Sequence, residues 1–328
     1  MKRKIAYSLI VFLLLFVLFE IAIRYFWGGP IKITEQKWGA FNVALDPVLG
    51  YKCMIGKNVF ANQNGEYFAN CNENGRLTAL VEDINANKKK IYFYGCSFTF
   101  GHGLPDSLTF AWKLQKILPD DKVFNFGYEG YGVSQFYAQA LQHIKSNPPE
   151  IMIINYANFQ NGRNMLFRNS RRNAFYYQTD KTILNQIRFP VLMVEQHKIK
   201  MEYIKFRYRY PFPFVTKLAS FNFIDVMVSN AIDNLKKPNK ITIEAFKDID
   251  KQCKAKGITL IINGIVDDKA TKQTLMKLSQ SNIITSNIFV DLNDENLLLE
   301  DHFHPNELAN SKLAIEFKTL LSKWIDTY

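Results

Sequence analysis

Apolar residues fall along this chain in three rhythms. The first is a nearly unbroken run close to the start: from Ile5 to Ile23 only Tyr7, Ser8 and Glu20 interrupt it. As a helix, these nineteen residues reach roughly 28 Å at about 1.5 Å each, close to the hydrocarbon thickness of a bilayer. Lys2, Arg3 and Lys4 precede the run, and Arg24, Tyr25, Phe26 and Trp27 follow it as an interfacial belt. A cleaved signal peptide has a shorter apolar core and a small-residue cleavage site, so the run reads as an uncleaved anchor over residues 1–27. Positive charge before it puts the N-terminus in the cytoplasm and the bulk of the chain outside. Glu20 stands one turn from Arg24 and is expected to pair with it.

The second rhythm is barely one. Residues 28–85 mix Gly, Asn and short apolar runs without a helical period, and read as an irregular lead with short strands. From Lys88 onward a regular alternation sets in. Ile91–Tyr94, Val123–Phe126, Ile151–Asn155, Ile258–Ile262 and Ile288–Leu292 read as buried strands. Helix-period segments lie near Ser107–Leu118, Ser134–Ser146, Ile241–Lys256, Lys269–Ser281 and Asn306–Ile325. Strands alternating with helices predict an α/β domain over residues 86–328, with a five-stranded, mostly parallel sheet between two helical layers. Ligands of such sheets bind at the carboxyl ends of the strands. Residues 165–240 interrupt the alternation as an insertion after the third strand.

Composition sharpens two of these points. The 328 residues are 48% hydrophobic, ample for a large core. Lys and Arg outnumber Asp and Glu by 41 to 30, a net charge of +11. Between Gln160 and Lys240 stand fifteen Lys or Arg against five acids, so the charge is regional. Anionic partners are favoured there, a membrane surface or an acidic glycan among them. Phe206-Arg207-Tyr208-Arg209-Tyr210, followed by Pro211 and Pro213, interleaves aromatic and basic residues as single-strand nucleic-acid binders do. A domain outside the cytoplasm rarely meets nucleic acid, so no such partner is expected. A helical cap filled with Phe and Tyr is the plainer reading of the insertion, and a membrane-facing or glycan-contacting cap the other. The four cysteines form no Cys-x-x-Cys pair, so no zinc site is expected. Cys53 and Cys71 can pair in an oxidising compartment, while Cys253 reads as a small buried hydrophobe on a helix.

Candidate chemistry sits at two places. After the first strand comes Gly95-Cys96-Ser97-Phe98-Thr99-Phe100-Gly101, which can present a serine hydroxyl at the strand's carboxyl end. Taken alone, a serine in such a loop is usually a cap or turn former. Near the C-terminus stands Asp301-His302-Phe303-His304-Pro305-Asn306. Asp and His at i, i+3 share one side of a helical turn, so a carboxylate can hold one imidazole nitrogen while the other faces a nucleophile. Serine needs such a base at neutral pH. A metal pair, or an Asn306 cap on the last helix, is the other reading of this stretch. His302 is expected at the surface or behind the site, and His102 in a loop lining the entrance.

Together these pieces resemble the SGNH (GDSL-like) hydrolase family, from about Lys88 to the C-terminus. Gly95-Cys96-Ser97 is similar to the family's Gly-Asp-Ser block, with Cys in place of Asp. Asn125-Phe126-Gly127-Tyr128-Glu129-Gly130-Tyr131-Gly132 looks like the second block, with Gly130 at the oxyanion-hole glycine. Asp301 and His304 match the fourth block, Asp-x-x-His. The anchor with Glu20 and Arg24, and Asp46-Pro47-Val48-Leu49-Gly50-Tyr51, resemble membrane-tethered relatives. The third block, Gly-x-Asn-Asp in the family, departs from the pattern: Tyr156-Ala157-Asn158-Phe159-Gln160-Asn161-Gly162-Arg163-Asn164 offers Asn161 as donor, with Asn158 in reserve.

The resemblance implies acyl transfer with Ser97 as nucleophile, His304 as base and Asp301 as its partner. The Ser97 and Gly130 amides and Asn161 would hold the oxyanion, with no cofactor and no metal. Cys96 is the rival nucleophile, but nothing near it in sequence supplies a cation to lower its pKa. The activity implied is a serine ester hydrolase on the extracytoplasmic (periplasmic) side of the inner membrane, acting on an ester that is an acetylated glycan or a lipid. The same triad could instead pass an acetyl group to an envelope or exported glycan. A third alternative is a non-catalytic envelope binding or assembly protein.

Overall fold

A computed structural model describes residues 2–30, 43–62, 65–79, 88–164, 166, 167, 170, 181–196, 198–205 and 214–325. The chain divides into two compact units, Met1–Gln36 with Arg207–Lys237, and Lys37–Phe206 with Pro238–Tyr328.

In the larger unit, β1 (Val43–Asp46) and β2 (Gly50–Cys53) form a small antiparallel pair. β3 (Gly56–Asn62), β4 (Gly65–Asn72) and β5 (Gly75–Arg76) follow as an antiparallel meander. The parallel strands are β6 (Lys90–Tyr94), β7 (Lys122–Asn125) and β8 (Ile151–Tyr156). A hairpin of β9 (Arg188–Glu195) and β10 (Lys198–Lys205) comes next in the chain, then β11 (Thr259–Gly264) and β12 (Ile284–Ser286). The main sheet has eight strands in the order β12-β11-β8-β6-β7-β5-β4-β3. Its five parallel strands are those the alternation predicts in number, and the lead adds three more through the antiparallel contact of Arg76 with Asn125.

Alternation within the strands divides the core. Tyr92, Tyr94, Met152, Ile154, Leu260 and Ile262 face one layer, where they meet the helices Val133–Ser146 and Pro238–Lys254 through Phe136, Phe246 and Ile249. Ile91, Phe93, Ile151, Ile153 and Ile261 face the other, against Phe110 and Leu114 of Phe110–Ile117 and Phe317 of the C-terminal helix Glu307–Ile325. Strands buried on both faces are the mark of a parallel sheet under two helical layers.

Two elements differ from the sequence reading. The fifth parallel strand is Ile284–Ser286, and the expected Ile288–Leu292 contributes only a single bridge, Val290 to Val266. The Asn263 side chain accepts from the Ile288 amide (2.8 Å) and donates to its carbonyl (2.9 Å), so those backbone groups are spent on a side chain. Among the described residues the insertion is not a wholly helical cap: it supplies the β9–β10 hairpin to the larger unit and the helix Ala219–Leu235 to the smaller one. The Phe206–Tyr210 run with Pro211 and Pro213 lies outside the described residues.

One link closes the lead on itself and another ties it to the rest of its unit. A disulfide joins Cys53 to Cys71. Arg76, 2% exposed, pairs with Asp106 (Nε to Oδ1, 2.8 Å) and donates to the carbonyls of Phe100 (2.7 Å), Gly101 (2.8 Å) and Leu104 (2.5 Å). Those carbonyls belong to the loop just past Ser97. In the smaller unit the helix Lys2–Phe26 carries the apolar run, and Glu20 pairs with Arg24 at 2.7 Å as its spacing predicts.

Candidate active site

β6 ends at Tyr94, and the chain turns through Gly95 and Cys96 into a four-residue helix, Ser97–Phe100. Gly95 is required there, because a Cβ on it would collide with the Thr99 hydroxyl. Ser97 opens the helix, so its amide is among the first-turn donors that have no acceptor within the helix. Its side chain is held at the carboxyl edge of the sheet, only 4% exposed. Cys96, adjacent in sequence, is buried in the apolar core with Phe93 and Phe110.

Asp301 and His304 sit in a tight loop closed by the Leu298–Pro305 bridge and by the Leu299 amide donating to the His304 carbonyl (2.8 Å), not on a helical turn. His302, with φ of 53°, lets the chain reverse inside that loop, and its side chain lies exposed. The reversal brings Asp301 Oδ2 to 2.5 Å from His304 Nδ1, while Asp301 Oδ1 accepts from the amides of Phe303 (3.0 Å) and His304 (2.8 Å). His304 Nε2 lies 2.9 Å from Ser97 Oγ. With Nδ1–H donated to the carboxylate, Nε2 is left to accept the serine hydroxyl. Burial opposes charge on Asp301, but the hydrogen bonds and positive field of His304 outweigh it and hold its pKa well below the ordinary carboxylate range. The pKa of His304 is lowered, first by burial and then by the charge of His102, against the pull of Asp301.

His102 and Glu129 complete the setting, and no sequence pattern joins them. Gly101 at φ of 87° caps the short helix, and the chain turns back to lay the His102 ring over that of His304, centroids 4.2 Å apart. His102 Nδ1 lies 2.8 Å from Glu129 Oε1 and 3.4 Å from the Tyr67 hydroxyl, and both His102 and Glu129 are buried. Burial works against a charged His102, but the Glu129 carboxylate prevails and its pKa is raised. Glu129 in turn is held below its ordinary value by His102, despite its own burial. The signal in the sequence was a lone acid in the second block and a His between two glycines. Neither points to the other until β6 and β7 lie side by side.

Gly130, next to Glu129, has φ of 71°, and a Cβ there would come within 2.8 Å of the Tyr51 hydroxyl. Asn161, the donor expected from the sequence, is hydrogen-bonded inside the fold. Its Oδ1 accepts from the hydroxyls of Thr242 (2.7 Å) and Tyr156 (3.1 Å), and its Nδ2 donates to Asn158 Oδ1 (3.0 Å). Three of its four hydrogen-bonding positions are thereby taken inside the fold. Asn158 is half-buried, and the bond from Asn161 fixes its oxygen and so orients its own amide nitrogen. As for metals, the ligating atoms of His102, Asp301 and His304 lie within 4.8 Å of one another. Both nitrogens of His304 and Nδ1 of His102 are committed to hydrogen bonds, so an ion at His304 would have to break the link to Ser97 or to Asp301.

No family model matches the chain, and no curated protein does. Among solved structures it is similar to the psychrotrophic esterase EstA from Pseudoalteromonas sp., with 12% identity and a TM-score of 0.45 over 73% of this chain and 100% of that one. A lipolytic protein of the G-D-S-L family from Veillonella parvula matches at 10% identity and a TM-score of 0.40, over 73% of this chain and 99% of the other. AlinE4, an SGNH-hydrolase family esterase, matches at 12% and 0.37, over 74% and 98%. Of these, the Veillonella protein is named for the G-D-S-L family and AlinE4 for the SGNH-hydrolase family.

Proposed function

We propose that this chain is a serine ester hydrolase anchored in a membrane by its N-terminal helix, with its catalytic unit on the extracytoplasmic side. The observation that carries the reading is the continuous hydrogen-bonded path from Ser97 Oγ through His304 to Asp301, over 2.9 and 2.5 Å. In the proposed reaction Ser97 attacks an ester carbonyl while His304 takes its proton and Asp301 stabilises the imidazolium. His304 then hands that proton to the departing alcohol, and water releases the acid from the acyl-serine. A lowered His304 pKa suits a base that must be neutral before it acts. The amides of Ser97 and Gly130 are the proposed oxyanion donors, with the Asn158 amide in place of Asn161. The Cys53–Cys71 disulfide supports an oxidising compartment.

Hydrolysis of a panel of short and long aryl esters by the full chain tests this, with Ser97→Ala as control. Rates that survive in Ser97→Ala would sink the assignment. Glycan acceptors added to the same assay distinguish transfer from hydrolysis, since an acceptor that outcompetes water yields acylated glycan. Asn158→Ala is expected to cost about a hundred- to a thousand-fold in kcat, the usual effect of losing one oxyanion donor. Asn161→Ala, which frees Asn158 to rotate and takes an acceptor from the Thr242 and Tyr156 hydroxyls, is expected to cost less in kcat.

A further inference from the structure

The helix Ala219–Leu235 is built inside out. Phe221, Ile224, Val228, Ile232 and Leu235 recur at spacings of three and four, one continuous stripe along its face. On that stripe Ile232 is 52% and Leu235 80% exposed, and Met227 beside it is 56% exposed. The stripe formed by Asn222, Asp225, Ser229 and Asp233 is buried instead. A helix in water places these the other way round, and an apolar patch of this extent marks a contact surface.

Its position beside the apolar run says which surface. The Glu20 carboxylate accepts from the amides of Ala219 (2.8 Å) and Ser220 (2.9 Å), the first turn of this helix. Phe221 packs on Phe16, and Phe223 on Trp27. Arg24 donates to the Lys217 carbonyl at 3.2 Å. The helix therefore begins level with Phe16 and Glu20, inside the Ile5–Ile23 run, and reaches Trp27 at its edge. In hydrocarbon, unpaired amides at a helix start are costly, and an acid within a membrane run is costly too. Glu20 removes the first cost by capping the helix, where a carboxylate also suits the helix dipole.

We propose that Ala219–Leu235 is a second membrane-contacting element, lying in the outer half of the bilayer that holds the anchor helix, with its apolar stripe against lipid. The proposal rests on the anchor reading above. Arg24, Lys217 and Lys237 are exposed around it and would meet headgroups, giving a preference for anionic lipid. Amphipathic helices with such faces lie in the interface plane.

The test is tryptophan quenching in the full chain, reconstituted in phosphatidylcholine–phosphatidylglycerol vesicles whose acyl chains are brominated near the headgroup or near the bilayer centre. Val228→Trp and Ile232→Trp should lose their added fluorescence to shallow bromines, to an extent comparable with the loss of Leu14→Trp to deep ones. Ile315→Trp, an equally exposed isoleucine on the C-terminal helix, should keep its fluorescence. Quenching at Leu14→Trp without quenching at positions 228 and 232 overturns this proposal alone, including the case where a second copy of the chain shields the stripe. No quenching at Leu14→Trp removes the anchor reading, and this one with it.

Discussion

The proton on His304 is contested by its neighbours. Burial and the imidazolium of His102 drive it off, while Asp301 and Glu129 draw it on. The charged and titratable groups around His102 are Glu129, Tyr67, Arg76, Asp301 and His304 itself. A folded-state pKa below the ordinary 6.5 means His304 stays neutral as pH falls through 6.5, so the acid limb of kcat/KM is expected below that value. His102→Gln removes the positive charge and leaves the Glu129 carboxylate unneutralised, and both changes favour protonation of His304. The acid limb should therefore move to higher pH. A pH–rate profile checks it: a lower rate with an unmoved limb would mean that His102 only fills space. At this scale the sequence reading found what spacing encodes. Asp301 and His304 lie three residues apart and can be paired on paper, whereas His102 and Glu129 lie 27 residues apart and meet only because two strands are neighbours. The choice of donor in the third block turns on a related point. Both asparagines sit in one short turn, Asn158–Gly162, and only the hydroxyls of Thr242 and Tyr156 decide which amide is tied inward.

Among the elements, the lead carries more than its irregular composition suggested. Tyr67, Ala69 and Cys71 of β4 point inward with a period of two, but exposed Phe68 and the small inward residues hide that period in the sequence. Four of the five parallel strands were legible because they are apolar runs, whereas the fifth, Ile284–Ser286, is half-buried and polar at two of its three positions, and the run at Ile288–Leu292 stands out in its place. Arg76 shows what the lead contributes. Arg76→Met would leave the carbonyls of Phe100, Gly101 and Leu104 without their donor, and Asp106 without its cation. Breaking a buried pair from one side costs about 3–5 kcal/mol, so urea unfolding should shift by an amount in that range. The loop bearing Ser97 should loosen with it, lowering kcat. The same substitution at exposed Lys57, which lies over the Phe68 ring, should cost well under 1 kcal/mol. Reducing the Cys53–Cys71 disulfide, which closes a span of 18 residues, should remove about 3 kcal/mol by restoring freedom to the unfolded chain.

For the molecule as a whole, the proposed topology predicts that protease added to cells with a permeabilised outer layer will degrade residues 37–206 and 238–325. Their survival until the inner membrane is lysed would reverse the orientation drawn from Lys2, Arg3 and Lys4. The same topology gives the disulfide a place in time. A chain that leaves the membrane from its anchor outward exposes β3 and β4 soon after β1 and β2, yet the parallel strand that receives them through β5 is β7, which starts at Lys122. At roughly 5–20 residues per second, the hairpin waits for seconds with one open edge, the circumstance in which strands join the wrong neighbour. Cys53 and Cys71 both precede that gap, so the covalent link can close while the rest of the sheet is still being delivered. It then holds β2 against β4 as a preassembled platform, and the parallel strands arrive to find their boundary already set.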